Sequence, residues 1–328
     1  TLSRRIYTIK IKNLETGEIL SDEIISTEGG TTWANDNQTF FYTTKNEVTL
    51  LSEHIDRHKL GTSQSKDVRV YTEKDNSFYI GVYRSKSDKY IIIYNSSTLS
   101  SDYRVINADN PEGEFHSFSP REKKHEYSIE HYKDKFYIIT NWNATNFRLM
   151  ETPDDATSKE NWTEVMAHRD EVLLSEIDVF ENHLVISERK EGLRQLRIID
   201  QQSEGEHYMD FGEDVYAAYT LTNLNFDTNI LRYGFTSLKT PFSTIDYNMD
   251  TRESILLKQT VVVGGHNPDA YKTERLYAKA RDGKKVPISI IYKKGFKKNG
   301  KGNVLQYAYG SYGSTIDPSF SSTRLSLL

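Results

Sequence analysis

The sequence predicts an all-β chain built as a β-propeller, and three observations predict it. Short aromatic and aliphatic runs recur along the 328 residues. Each run is followed by a second strand pattern, a polar turn and a third strand. No helical periodicity separates one group from the next, which is the pattern of propeller blades.

The recurring runs lie at residues 40–43, 78–83, 136–139, 184–186 and 230–235, with first residues 38, 58, 48 and 46 apart. Polar turns precede them, such as Asn35-Asp36-Asn37-Gln38 and Lys133-Asp134-Lys135. Second strands are expected at 53–60, 90–94, 147–151, 193–200 and 243–247. The turns echo one another in Asn13-Leu14-Glu15-Thr16-Gly17-Glu18, in Asp200-Gln201-Gln202-Ser203-Glu204-Gly205-Glu206 and in Asn248-Met249-Asp250-Thr251-Arg252-Glu253. Asn, Asp and Gly supply the positive φ or the local side-chain bonds that tight turns need. Five full repeats and a partial one over residues 4–25 are expected. A β-sandwich also gives short alternating strands, but it does not account for the three-strand echo.

Composition narrows the function. Hydrophobic residues make up 36% and charged residues 27%, and 22 Tyr and 14 Phe offset the low aliphatic content. Aromatic and β-branched side chains suit half-buried strands. A net charge of −5 is too mild to argue for nucleic acid or for an anionic membrane surface, so neither is expected as a partner. There is no Cys, so no disulfide or thiolate site is possible, and a reducing compartment is permitted but not required. A cytoplasmic location is expected. No apolar run approaches the roughly 18 residues of a spanning helix. The sequons at Asn37, Asn95, Asn143 and Asn161 carry no weight in so polar a chain.

The pattern changes near residue 263. Gly264-Gly265-His266-Asn267-Pro268-Asp269 is a cluster of strand breakers. A hairpin is expected next, from Leu276-Tyr277-Ala278-Lys279-Ala280 through Arg281-Asp282-Gly283 to Val286-Pro287-Ile288-Ser289-Ile290-Ile291-Tyr292. A lysine-rich loop follows, read as a solvated loop and not as an anion site. Residues 303–307 are expected to form a further strand, ending in Tyr309-Gly310-Ser311-Tyr312-Gly313. The expected division is therefore a propeller over 1–262, a linker over 263–274 and a second domain over 275–328.

Motifs for chemistry are sparse. A nucleophile elbow needs Gly-x-Ser-x-Gly, and Gly310-Ser311-Tyr312-Gly313 has one residue too few before its serine. Ser311 is a decoy. His54 and His58 have the i,i+4 spacing of paired ligands on a helix, but this segment reads as a strand, where such residues stand over about 13 Å apart. They are read as ordinary blade histidines. No metal site and no cofactor is expected. The glycines of the 309–313 loop let backbone approach a ligand and its tyrosines offer hydroxyl donors, yet such loops are also common turn material.

At that loop the sequence resembles the prolyl oligopeptidase family of serine peptidases, and within it the oligopeptidase B branch. The likeness is carried by Leu305-Gln306-Tyr307-Ala308-Tyr309-Gly310-Ser311-Tyr312-Gly313, Ile316-Asp317-Pro318-Ser319-Phe320-Ser321 and Arg324-Leu325-Ser326-Leu327-Leu328. Upstream it is carried by Arg4-Arg5, Asn13-Leu14-Glu15-Thr16-Gly17, Trp33-Ala34-Asn35-Asp36, His125-Glu126-Tyr127-Ser128, Leu256-Leu257-Lys258-Gln259-Thr260 and the hairpin entered at Glu274-Arg275-Leu276. It runs over nearly the whole chain.

The resemblance implies a seven-bladed propeller, incomplete here, followed by the first strands of an α/β-hydrolase domain. It implies a peptidase that cleaves short peptides after Arg or Lys, with the propeller gating access and with the Ser-Asp-His triad absent from this stretch. Both ends read as cut, so the chain is expected to be an inactive fragment. Open strand edges are expected to pair with a second copy, or residues 263–328 to be largely disordered.

Tyr309 matches the family's side-chain oxyanion donor. Tyr312 matches the aromatic residue lining the primary specificity pocket. Asp317 matches the first acid of an Asp-x-Asp pair directed at a second basic substrate residue. Ser319 replaces the second acid, and Ala308 stands where Gly is usual. From a different class, a non-catalytic propeller that binds or scaffolds also fits the absence of a nucleophile motif.

Overall fold

The structure is a computed structural model that describes residues 5–203 and 205–328. Thr1, Leu2, Ser3 and Arg4, and Glu204 of the expected 200–206 turn, lie outside the described residues. The chain divides into two compact units, Thr1–His168 and Arg169–Leu328. Among the described residues no helix is long and apolar enough to cross a membrane.

The first unit contains three antiparallel sheets in chain order. One is formed by β1 (Tyr7–Lys12), β2 (Ile19–Trp33), β3 (Thr39–Lys45), β4 (Ser52–Lys59) and β5 (Val68–Thr72). The second is β6 (Tyr79–Arg84), β7 (Tyr90–Ser96), β8 (Ser101–Asn107) and β9 (His116–Ser117). The third is β10 (Tyr127–Tyr132), β11 (Lys135–Thr140), β12 (Arg148–Pro153) and β13 (Thr163–Met166).

Successive residues of one strand serve different cores, because side chains alternate between sheet faces. In β7, Ile91 and Ile93 join Phe41, Ile55, Ile80 and Ile106. Ile92 between them faces the other way, into a cluster with Phe118, Tyr127, Phe136, Ile138 and Trp162. Three consecutive buried isoleucines thus glue the second sheet to both neighbours.

The second unit has two four-stranded sheets. They are β14 (Val172–Val179), β15 (His183–Lys190), β16 (Leu193–Asp200) and β17 (Glu206–Tyr208), then β18 (Tyr216–Thr220), β19 (Ile230–Ser237), β20 (Ser243–Asn248) and β21 (Ser254–Gln259). One core joins them, with Phe180, Val185, Leu196 and Ile198 against Leu231, Tyr233, Phe235 and Tyr247. A two-stranded sheet follows, β22 (Tyr271–Lys279) and β23 (Lys285–Lys293).

The all-β propeller reading holds, with three corrections. The strands of the expected partial repeat do not make a blade of their own. β2 continues its ladder into β3, with Thr32 opposite Phe41, so they belong to the first sheet. The run at 78–83 is the first strand of its sheet, whereas those at 136, 184 and 230 are second strands. Matched second strands β7, β11, β15 and β19 begin 45, 48 and 47 residues apart, and the uneven spacing of the sequence disappears. Lastly, residues 303–307 are not a strand. A strand exists only with a paired neighbour, and Val304, Leu305 and Tyr307 stand exposed with none among the described residues.

The echoing turns share one construction. Asn13 Oδ1 accepts from the amides of Glu15 and Thr16, Asn248 Oδ1 from Asp250 and Thr251, and Asp200 Oδ1 from Gln202 and Ser203. A fourth copy lies between β3 and β4, where Asn46 Oδ1 accepts from Val48 and Thr49. The fifth residue takes positive φ in Gly17, Leu50 and Arg252.

Candidate functional site

The tyrosine loop is carried by the hairpin β22–β23, and the hairpin is seated on the turn between β15 and β16. Arg275 donates from Nη2 to the Glu191 carbonyl at 2.5 Å and from Nη1 to Ser289 Oγ at 2.6 Å. The Tyr277 hydroxyl donates to Glu191 Oε2 at 3.0 Å. Gly192 makes this approach possible. Its φ is +78°, and a Cβ there would stand 2.9 Å from Arg275 Nη2 and 3.0 Å from Pro287 Cγ. Of the lysine-rich loop, Lys298 pairs with Glu274, which also accepts from the Tyr292 hydroxyl. The Lys298 hydrogen bond, with that of Tyr292, pulls the Glu274 carboxyl down to about 2.

Tyr309 is half exposed at 51% and Tyr312 almost wholly so at 94%. Neither hydroxyl is bonded among the described residues. Tyr312 sits in a short 3-10 turn, Ser311–Gly313, with φ +57° and ψ +32°, a conformation uncommon for a residue with a Cβ. The Tyr312 ring stands in solvent.

Asp317, by contrast, is engaged. Arg189 of β15 donates to it from both terminal nitrogens, at 2.6 Å to Oδ1 and 3.0 Å to Oδ2. Arg194 of β16 brings Nε to 3.4 Å from Oδ2. Three residues on, the Phe320 amide donates to Thr236 Oγ1 at 3.0 Å, and its ring meets the edge of His266 at 4.9 Å. His266 Nε2 in turn lies 2.6 Å from the Lys239 carbonyl.

The structure thus places Tyr309, Tyr312 and Asp317 on one loop, with two hydroxyls unbonded among the described residues and one acid paired with two arginines. Sequence reasoning missed Arg189, Arg194, Arg275 and Thr236. The only hint was the charge-rich turn Arg189-Lys190-Glu191-Gly192-Leu193-Arg194, which reads as an ordinary hairpin connection.

His54 and His58 both lie on β4. His58 is sealed between Asp67 and Asp22, while His54 Nδ1 lies 3.0 Å from Thr72 Oγ1. A cavity of about 560 Å³ adjoins His54, lined also by Tyr42, Asp56, Asp67 and Arg69 among others, and no residue of 263–328 takes part in it.

Known proteins share this layout. The family model for the prolyl oligopeptidase N-terminal β-propeller domain matches residues 1–260. The chain is 42% identical over its full length to dipeptidyl aminopeptidase BI of Pseudoxanthomonas mexicana, and covers 45% of that protein. It is 34% identical to protease 2 of Moraxella lacunata, over 98% of this chain and 46% of the relative. Oligopeptidase B from Leishmania major superposes with a TM-score of 0.88 at 27% identity, over 98% of this chain and 46% of that one. Oligopeptidase B from Trypanosoma brucei, solved in a closed form with covalently bound antipain, gives 0.84 at 29% identity, over 93% and 44%. The chain spans a little under half the length of these relatives. With the propeller model matching well over half of its residues, the chain belongs to the prolyl oligopeptidase family.

Proposed function

We propose that this chain is the gating propeller and the opening hydrolase strands of a serine oligopeptidase that cleaves short peptides after Arg or Lys. The observation that carries the reading is the 309–313 loop. It follows a family propeller after one hairpin and presents two tyrosine hydroxyls with no partner among the described residues. In the reaction a serine attacks the peptide carbonyl, and a histidine takes its proton and returns it to the leaving amine. Tyr309 donates a hydrogen bond to the oxygen on which negative charge develops. The Tyr312 ring stacks on the alkyl stem or guanidinium of the basic side chain.

Serine, histidine and their acid lie outside residues 1–328 in this reading, so this stretch alone is inactive. Residues 1–262 form the gate, 263–274 the linker and 275–328 the start of the peptidase domain. β22 begins within that linker, at Tyr271. The site of action is the cytoplasm, and the isolated stretch self-associates through its open strand edges.

A second reading is release of dipeptides from a free N-terminus. It is favoured by the 42% identity to a dipeptidyl aminopeptidase. The deciding assay compares an N-blocked Arg amide with a free Ala-Arg amide, on residues 1–328 and on the full-length polypeptide that contains them. Turnover of the blocked amide by the full-length polypeptide alone is expected. Turnover of only the free dipeptide amide moves the assignment to the second reading. Turnover of neither leaves the non-catalytic scaffold.

A further inference from the structure

The expected role of Asp317 conflicts with its surroundings. A carboxylate that receives a basic substrate residue must have lone pairs to offer. Arg189 takes one site on each oxygen of Asp317, Thr315 Oγ1 stands 3.4 Å from Oδ1, and the remaining side of Oδ2 is faced by Arg194 Nε at 3.4 Å, so every approach is already met by a donor of this chain. Arg189 is itself held, with only 13% of its side chain exposed and Nη1 also bonded to the Gly192 carbonyl at 3.0 Å. Nor is there a second acid nearby in sequence. Ser319 is neutral, and its carbonyl accepts from Arg324 Nη1 at 3.0 Å.

The charge balance points the same way. Arg189 and Arg194 bring two positive charges to one carboxylate. The Arg194 side chain is about one third exposed, and its contact with Asp317 is the looser one. The surplus positive charge therefore faces solvent beside the tyrosine loop.

We infer that Asp317 is a positioning residue and that Arg189 and Arg194 make the adjacent subsite reject a basic side chain. The inference rests on the peptidase reading above. Asp317 pins the loop to β15 and β16, and Phe320 pins it to β19. The flank carrying Tyr309 and Tyr312 is left free to meet substrate, at a place that the two pins set. A neutral or acidic residue is accepted next to the cleaved Arg or Lys, and a second basic residue is not.

The test uses the full-length polypeptide and two chromogenic amides, Ala-Arg and Arg-Arg. The Ala-Arg substrate is expected to have the higher kcat/KM by about tenfold, the scale of one unpaired like charge at a partly exposed site. R194M narrows that gap. D317N lowers kcat on both substrates and does not narrow the gap, because it removes a negative charge and leaves both arginines, and the exchanged pair R189D/D317R restores part of the kcat loss. An Arg-Arg preference that D317N abolishes would overturn the inference, since Asp317 would then be touching substrate. A second readout needs no turnover: D317N and R189M should each speed hydrogen exchange of the amides over residues 310–320. Unchanged exchange in both overturns the pin. If no amide is cleaved while exchange responds as stated, the peptidase reading fails and the pin stands.

Discussion

Nε2 of His58 lies 3.0 Å from Oδ1 of Asp22, with both side chains buried and the two residues 36 positions apart in the chain. The same Asp22 oxygen accepts from the Gly61 amide at 2.6 Å, and the other ring nitrogen of His58 lies 2.6 Å from Asp67. Tyr42 donates to the second oxygen of Asp67 at 2.7 Å. One buried polar network therefore ties β2, β3 and β4 to the segment before β5.

This network makes stability depend on acid. Burial acts to raise the Asp22 carboxyl, but the hydrogen bonds from His58 and Gly61 outweigh it and hold the group below its ordinary range. A depressed folded value contributes stability that is fully present above the unfolded aspartate value, about 3.9. That stability is lost as pH falls through the folded value. Urea midpoints should therefore drop on acidification below about pH 4, and the D22N variant should show a flatter acid limb. D22A should cost about 1–3 kcal/mol, because it leaves His58 Nε2 and the Gly61 amide without their partner. An acid limb of equal slope in D22N would remove Asp22 from the cause.

Leu50 occupies a place that glycine fills in the sister turn. Its φ is +62° and that of Gly17 is +76°, at the same fifth position of the Asx-capped turn. Left-handed backbone strains a residue with a Cβ, and Leu50 is not in the buried core. L50G should raise stability by up to about 1 kcal/mol, the strain relieved less the added freedom of glycine in the unfolded chain. Thermal melting of the two proteins decides the sign.

Gly234 of β19 pairs with Tyr219 of β18, and the Tyr219 ring lies stacked near Phe242 at 6.1 Å. An added Cβ would stand 2.7 Å from Phe242 Cε2 and 3.0 Å from Tyr219 Cε2. Here φ is not the reason for glycine, since two aromatic rings claim the space. G234A should destabilise by about 1–3 kcal/mol through overpacking. Recovery of the loss in a G234A/F242L double variant would show that the rings are the cause.

Tyr309 is the residue whose hydroxyl should matter to turnover alone. In the full-length polypeptide Y309F should lower kcat by about 100- to 1000-fold, with KM little changed. Unfolding midpoints should not move, because the hydroxyl bonds nothing among the described residues. A rise in KM without loss of kcat would reassign Tyr309 to ground-state binding.

The blade pattern was legible because a strand's signal is local. Alternating aromatic and β-branched residues declared β3, β11, β15 and β19 within a few residues of their bounds. The Asx turns were equally local, since Asn13 and Asn248 cap amides only two and three positions away. Phase was harder: β6 and β7 are both apolar, and nothing in either run says which is first in its sheet.

What the sequence by itself determined is therefore the class, the repeat and the presence of a tyrosine loop after it. Only the tertiary structure decided which groups on that loop are free. Asp317 meets Arg189 across 128 residues of chain. His58 turns from a blade histidine into the centre of a buried network only because β2 and the segment before β5 arrive on either side of it. Periodicity reports how a residue faces its own strand. Which charge waits on the facing side is set by how distant strands pack, and no local pattern encodes that.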